Sequence, residues 1–441
     1  MSGANDRLHT AGGMLDSVPE HRVAIPNAPA MSARRFRLLF FAREKFPTHR
    51  VDLEVLFGRE LVPRGHSVDL VMQAGSRSLG SGPREWHGQT VFVGATTGGQ
   101  GFVSRALRQC FELWHDLRSL QLARRAQYDA IQVRDKFLIA AIGLMIARAR
   151  RLKFFFWLSF PMPEADLDHA RSGNARFPAI NRVRSMLSGW LLYRWIIPRS
   201  DHVFVQSECM KEGICARGAA DAEHLTAVPM GVDLADIAAV GQTAHPSAAG
   251  ETTLGYLGTL DANRRLGILV EMLALLRRSG LAVRLLLVGD AEAARDRKEL
   301  EERARVLGVS HCLEISGFLP HVEALKRIAA VDICLSPIAP SPIFRVASPT
   351  KLVEYLALGR PVVANWHPEQ RAILRESRGG VCVPWGAKHF ARAVRWLMQH
   401  SDEQLKLMGD RGRSWAYQHR TYSKIASDVE RTYLSLIPRD D

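Results

Sequence analysis

From residue 36 onward, short apolar runs alternate with longer amphipathic stretches, and the alternation happens twice. In the first half the runs 36–41, 67–72, 91–93, 130–133, 154–158, 203–206 and 226–229 read as strands. Residues 51–64, 104–127, 137–149 and a stretch from 207 read as the helices between them. The pattern halts over 241–251, where Gly, Pro, Ser and Ala cluster. It restarts with strands at 253–258, 283–288, 313–315, 333–335, 361–365 and 381–383 and helices at 266–280, 300–307, 322–329, 348–359, 387–400 and 401–419. Uniformly apolar strands are buried on both faces, and an intervening helix is the crossover that parallel strands require. The alternation therefore predicts an α/β chain of two Rossmann-like αβα domains facing each other across a cleft. Ligands of such sheets sit outside the carboxyl ends of the strands.

At 441 residues the chain is longer than one core usually accommodates. The expected division is an N-terminal arm over 1–33, a first Rossmann-like domain over 34–240, a linker over 241–251, a second Rossmann-like domain over 252–420 and a C-terminal helix over 421–441 that returns to the first domain. The arm lacks apolar periodicity and the basic start plus apolar core of a signal peptide. The six cysteines of the chain are scattered without a C-x-x-C pair, which reads as reduced thiols in a cytoplasmic setting. The formal charge of +14 attracts anions of some kind: nucleic acid, anionic lipid or a nucleotide diphosphate. Nucleic acid is disfavoured, because no zinc finger, RNA-recognition signature or aromatic-interleaved basic strip is present.

The chemistry is most legible over 348–361. Ser348 reads as an N-cap, Pro349 suits the first helical position, Gly359 closes the helix and Pro361 forbids its continuation. A helix start is a ready anion site, and Lys351 adds a full charge to it. Glu354 lies three residues on, hence on the same face, where a carboxylate accepts hydrogen bonds from ribose hydroxyls. The plainer reading is a surface ion pair on a capped helix. Elsewhere, Gly258-Thr259-Leu260 ends the first strand of the second domain and leads to Arg264 and Arg265, whose forked donors suit phosphate oxygens. The alternative there is a solvated basic turn. Leu287-Val288-Gly289-Asp290 is a second strand-end glycine. After the next strand, backbone groups near Phe318 and Leu319 are placed to pair with a nucleobase edge.

These segments resemble the retaining glycosyltransferases of the GT-B fold, in the large family 4 grouping. The resemblance is carried by Tyr256-Leu257-Gly258-Thr259-Leu260, Arg264-Arg265, Leu287-Val288-Gly289-Asp290, Gly317-Phe318-Leu319-Pro320 and 348–361, in family order and at family spacing. It covers 253–420 well and the first half loosely, through 200–207 and 228–233. It implies a metal-independent transfer of a sugar from a nucleoside-diphosphate sugar to an acceptor hydroxyl, with no cofactor. The leaving phosphate accepts the acceptor's proton, so the protein supplies cations rather than a nucleophile. Arg264 and Lys351 take that catalytic role. Gly258, Thr259, Arg265, Gly289, Phe318, Leu319, Ser348, Thr350, Leu352 and Glu354 take donor-binding positions.

Two departures stand out. The first Glu of the family's E-x7-E motif falls at Val346, so Arg345 or loop backbone would contact the donor sugar instead. On the acceptor side, 156–164 lacks the family's His, and the Gly-rich first loop is replaced by Pro47-Thr48-His49-Arg50. His49, Arg50 and Glu164 are the acceptor-side candidates. No Asp-x-Asp and no His/Asp/Glu cluster with metal spacing appears. The acceptor is expected to be lipid-linked or a growing polysaccharide. Alternatives are a sugar-nucleotide epimerase, which needs no acceptor, and a sugar-nucleotide-binding protein without turnover.

Finally, 182–199 carries Val183, Met186, Leu187, Trp190 and Leu191 at helical spacing, flanked by Arg182, Arg184, Arg194 and Arg199. This suits an interfacial helix on the anionic cytoplasmic face of a membrane. The plainer reading is a helix packed on the sheet with its Arg stems snorkelling. No run reaches the roughly 18 apolar residues of a membrane span.

Overall fold

The computed structural model describes residues 34–48, 50–97, 101–171, 177–241 and 250–438. The expected arm over 1–33, His49 and most of the expected linker lie outside them. The first sheet is built from β1 (Arg37–Phe46), β2 (Ser67–Ala74), β3 (Gly82–Trp86), β4 (Gln89–Gly94), β5 (Ala130–Arg134), β6 (Lys153–Leu158), β7 (His202–Val205) and β8 (Leu225–Ala227), in the order β3-β4-β2-β1-β5-β6-β7-β8. The second contains β9 (Thr252–Leu257), β10 (Val283–Val288), β11 (Leu313–Ile315), β12 (Ile333–Ser336), β13 (Val362–Asn365) and β14 (Gly380–Val383), in the order β11-β10-β9-β12-β13-β14. All pairings are parallel except β3 with β4.

Strand burial explains why the sheets are doubly covered. Along β1, Leu38, Phe40 and Ala42 enter one core while Leu39 and Phe41 enter another on the opposite face. Along β10, Leu285 and Leu287 face one core and Leu286 and Val288 the other. Each such fully buried side chain contributes roughly 1.5–3 kcal/mol of transfer free energy. The helix Tyr422–Leu436 joins the first of these cores through Tyr422, Ile425, Val429 and Tyr433. His66 and Arg64 bind Glu430 of that helix at 2.8 and 2.9 Å. The end of the chain thus fastens onto the first sheet.

Several elements depart from the sequence expectation. The stretch 104–127 is helical only over Phe102–Ser119 and then turns through Leu120–Leu122. Residues 51–64 form a wide π-type helix over Asp52–Leu61. β3 went unread because it is polar and begins Gly-Pro; Pro is tolerated on an edge strand, where no ladder donor is needed. The helices Met162–Arg171, Leu234–Val240 and Pro368–Ser377 were also not anticipated.

The stretch 182–199 resolves one open alternative. Within the helix Pro178–Trp190, Ser185 is the buried residue. The side chains of Ile180, Val183, Met186, Leu187 and Trp190 are 56–74% exposed, so this stripe faces outward rather than onto the sheet. The helix rests on Met162–Arg171, with Ser185 Oγ donating to the Pro163 carbonyl at 2.7 Å and Arg184 clamping Asp166. Among the described residues no helix is long and apolar enough to cross a membrane.

Candidate active site between the two sheets

The helix Thr350–Ala357 starts at the mouth of the second sheet. Its end is as the sequence dictates. Gly359 adopts φ 70°, its N–H bonds the Leu356 carbonyl, and the Arg360 N–H bonds the Tyr355 carbonyl. That is a Schellman closure. Its start is a correction. Ser348 does not cap the helix; Pro349 occupies that position without a side-chain bond. The Ser348 hydroxyl instead accepts from the Met230 N–H at 2.9 Å and donates to Glu369 at 3.1 Å. With Ser207 Oγ donating to the Val346 carbonyl at 2.7 Å, it ties the loop before the helix to the first domain.

Lys351 is not a solvent-facing surface lysine either. Its side chain lies across Gly258, where a Cβ would collide with its Cε and Nζ. Its ammonium sits 5.6 Å from the Tyr256 ring centroid. Gly258 has φ 141°, and Gly289, at φ 135°, must leave room for the Gly258 carbonyl. Gly289 in turn bridges Gly317. Three strand-end glycines therefore form a continuous backbone shelf beneath Lys351.

Arg264 ends a short turn, Ala262–Arg264, with its guanidinium 5.4 Å from the Phe344 ring centroid. Arg264, Lys351, Ser348, Thr350 and Tyr256 line one wall of a cleft of about 420 Å³. Arg43, Glu44, Arg50, Asp135, Ser159 and Gln206 line it from the first domain. Burial, reinforced by the nearby Arg264 charge, pulls the Lys351 pKa down to about 8 against the attraction of Glu354 and Asp261. Two cations held this close, one already short of solvent, call for an anion between them.

The other expected residues fall as follows. Arg265 takes a left-handed φ of 52° and is exposed, away from the cleft lining. Leu352 is fully buried in the core, so only its backbone is left to meet a ligand. Glu354 is buried with its carboxylate 3.4 Å from His321 Nε2; burial raises its pKa while His321 and Lys351 oppose the rise. The Thr259 carbonyl accepts from the Tyr256 hydroxyl at 3.2 Å. Phe318 and Leu319 are exposed beyond the glycine shelf. Glu164 and Arg345 line a neighbouring cavity, not this cleft.

On the opposite wall the structure adds residues the sequence did not single out. Asp135, at the carboxyl end of β5, adopts φ 53° and accepts from the Ser159 N–H at 3.0 Å and from the Ser159 hydroxyl. Burial raises its pKa despite Arg134. Arg134 is fully buried, 2.8 Å from Asp52 and 3.3 Å from Glu44. For Asp52 burial opposes ionisation, but Arg134 and Arg50 outweigh it and hold the carboxyl far below the usual range. One signal could have found Asp135: a charged residue at the carboxyl end of a central strand. The cleft thus sets Arg264 and Lys351 on one wall against a mixed wall of Glu44 and Asp135 with Arg43 and Arg50. Among the described residues no group of three or more His, Cys, Asp or Glu side chains is placed to hold a metal ion.

A pH dependence follows from Lys351. An anion that requires the protonated ammonium binds less tightly as pH rises through about 8, approaching tenfold per pH unit. Titration calorimetry with a nucleoside diphosphate between pH 7 and 10 should show that decline, and Lys351→Met should bind weakly with a flat profile.

The sequence of the first domain matches the model of Glycosyltransferase Family 4 over residues 55–236, and that of the second matches Glycosyl transferases group 1 over 251–400. The chain belongs to the GT-B glycosyltransferases of the family 4 type. Solved structures agree on the fold of this glycosyltransferase. Anabaena Alr3699/HepE in complex with UDP superposes with a TM-score of 0.65 at 20% identity, over 91% of this chain and 100% of that one. Sucrose-phosphate synthase from Thermosynechococcus elongatus gives 0.68 at 17% identity, over 91% and 99%. WaaG, a glycosyltransferase involved in lipopolysaccharide biosynthesis, gives 0.62 at 14%, over 89% and 99%. No curated protein matches the chain in sequence.

Proposed function

We propose that this glycosyltransferase takes its sugar from a nucleoside-diphosphate donor and passes it, with retention, to an acceptor hydroxyl in polysaccharide or glycolipid assembly. The observation that carries this reading is the meeting of Arg264 and Lys351 on one cleft wall, above the shelf of Gly258, Gly289 and Gly317. The two cations stabilise the departing diphosphate, so the step needs no metal ion. The first turn of the helix Thr350–Ala357 adds the positive end of its dipole. Glu354 takes ribose hydroxyls, and Asp135 holds the acceptor hydroxyl on the opposite wall. HepE has been solved with UDP, with UDP and glucose, and with UDP-glucose, which favours uridine donors for the first trials.

A thermal-shift panel of nucleoside diphosphates and their sugars tests the reading. One nucleotide class should raise the midpoint; a ligand at a hundred times its Kd stabilises by about 2.7 kcal/mol. A panel without any shift would contradict it.

On the same reading the enzyme works at the cytoplasmic face of a membrane. Support comes from the outward stripe of Val183, Met186, Leu187 and Trp190, with Arg182, Arg194 and Arg199 exposed around it. Anchoring by an interfacial helix combines buried apolar area with attraction to anionic lipid. In flotation with phosphatidylglycerol-containing vesicles, the protein should rise with the lipid at low salt and stay behind with pure phosphatidylcholine. Met186→Glu with Leu187→Glu should weaken the association at least tenfold. Equal behaviour toward both vesicle types would remove this part of the reading.

A further inference from the structure

Beside the polar donor cleft lies a second cavity, of about 560 Å³, with the opposite chemistry. Its walls are largely apolar: Leu158, Met210 and Ile214 from the first domain, Ile338, Pro340 and Pro342 from the loop after β12. Pro161, Ile338 and Val346 line both cavities, so the two adjoin. Its volume falls in the range of small-molecule sites, which pair apolar walls with a few placed polar groups.

Those polar groups are present. Glu164 Oε1 accepts from the Tyr193 hydroxyl and from Arg217, each at 2.8 Å, and the Arg217 guanidinium stacks 4.7 Å from the Tyr193 ring centroid. The other oxygen, Glu164 Oε2, is buried without a hydrogen-bond partner. A buried carboxylate oxygen left unpaired is costly, and a ligand donor at this point would satisfy it. The cavity also shares its scaffold with the outward apolar helix. Glu164 lies on Met162–Arg171, the helix on which Pro178–Trp190 rests, and Tyr193 lies in the turn Leu191–Ile196 that continues from Trp190.

We propose that this cavity is an acceptor subsite for an apolar group: the acceptor is an amphipathic, lipid-carried molecule whose hydrophobic portion lies here while its hydroxyl reaches the donor cleft. Glu164 Oε2 takes a hydroxyl or amide N–H at the junction of the polar and apolar portions. The exposed helix at the same edge is where such an acceptor leaves the lipid. The inference rests on the glycosyltransferase reading for naming the occupant an acceptor; the cavity's preference for an apolar group is tested separately.

Gly213 gives the means. It lines the cavity from the helix Glu208–Ala216, and a Cβ there meets nothing within 4 Å. Gly213→Phe therefore projects a ring into the cavity without a backbone clash, and Gly213→Ala is the control that does not reach far. The probes are paired methyl and n-octyl glycosides of glucose, galactose, mannose and N-acetylglucosamine, used below micelle formation in titration calorimetry. The wild-type protein should bind at least one octyl glycoside ten times more tightly than its methyl partner. Gly213→Ala should keep that preference, and Gly213→Phe should lose it while its thermal midpoint stays within a few degrees. Equal affinity within every pair, absence of binding by all of them, or a preference that survives in a folded Gly213→Phe would overturn the proposal. The thermal shift with UDP reports on the donor reading independently, so the two failures are told apart.

Discussion

Lys351→Met should lower sugar transfer about a thousandfold while leaving the free protein as stable as before, or slightly more so. The two halves of this result come from one cause. Loss of a single preorganised charge-stabilising group costs on the order of a hundred- to a thousandfold in turnover, and here the group carries a full charge. The stability half follows from the sign of the pKa shift. Burial and Arg264 pull Lys351 down to about 8, so in the folded state the ammonium is held less favourably than in the unfolded chain. A lysine shifted this way costs stability below pH 8, and the cost fades as pH rises toward its unfolded value. Replacing it with Met, of similar reach and no charge, removes the cost. The measurement is a pair of melting curves with and without UDP: the unliganded midpoint holds or rises, and the nucleotide-induced shift disappears. An unliganded midpoint that falls sharply would mean that Lys351 braces the helix rather than waiting for an anion.

Arg134→Met should have the largest effect on stability. The guanidinium is fully buried among Asp52, Glu44 and Asp135, and Ser159 Oγ lies 3.3 Å from its Nε. Removing it leaves carboxylates facing one another, with Arg50 as the remaining ion-pair partner of Glu44 and Asp52 among the described residues. Breaking a buried pair by deleting one partner costs about 3–5 kcal/mol. For a domain of this size that corresponds to roughly 10 °C in thermal midpoint. The pH dependence has a definite sign. In the wild type Asp52 is held far below its unfolded value, so its contribution is present at neutral pH and persists well into acid. In the variant the carboxylates lose the cation that offsets burial, their pKa values rise, and the folded state binds more protons than the unfolded one. The deficit should therefore shrink between pH 8 and pH 5. A midpoint within two degrees of wild type, or a deficit that grows on acidification, would show that the cluster is solvated.

Much of the architecture was legible because the strands are buried on both faces. Val283–Val288 and Ile333–Ser336 lie where their apolar runs place them, and the same logic located the ends where ligands meet the sheet. Arg264 and Lys351 could be singled out for a related reason: one lies in the loop that follows β9 and the other in the first turn of the helix before β13, where the sequence marks loop and helix start clearly. What escaped depends on distant partners. Ser348 has an N-cap's chemistry, but Met230 and Glu369 claim its hydroxyl, and neither is near it in the chain. Arg134-Asp135-Lys136 resembles any solvated turn; only the position of β5 between β1 and β6 turns it inward. The stripe of Val183, Met186, Leu187 and Trp190 was visible, but periodicity says only that a helix has an apolar face, not whether protein covers it.

Transfer by the proposed route requires an anion held between Arg264 and Lys351. The most direct test is a crystal structure of the protein with UDP. The diphosphate oxygens should lie within about 3 Å of Lys351 Nζ and of the Arg264 guanidinium, over the Gly258 backbone. Well-ordered UDP whose phosphates touch neither side chain would contradict it.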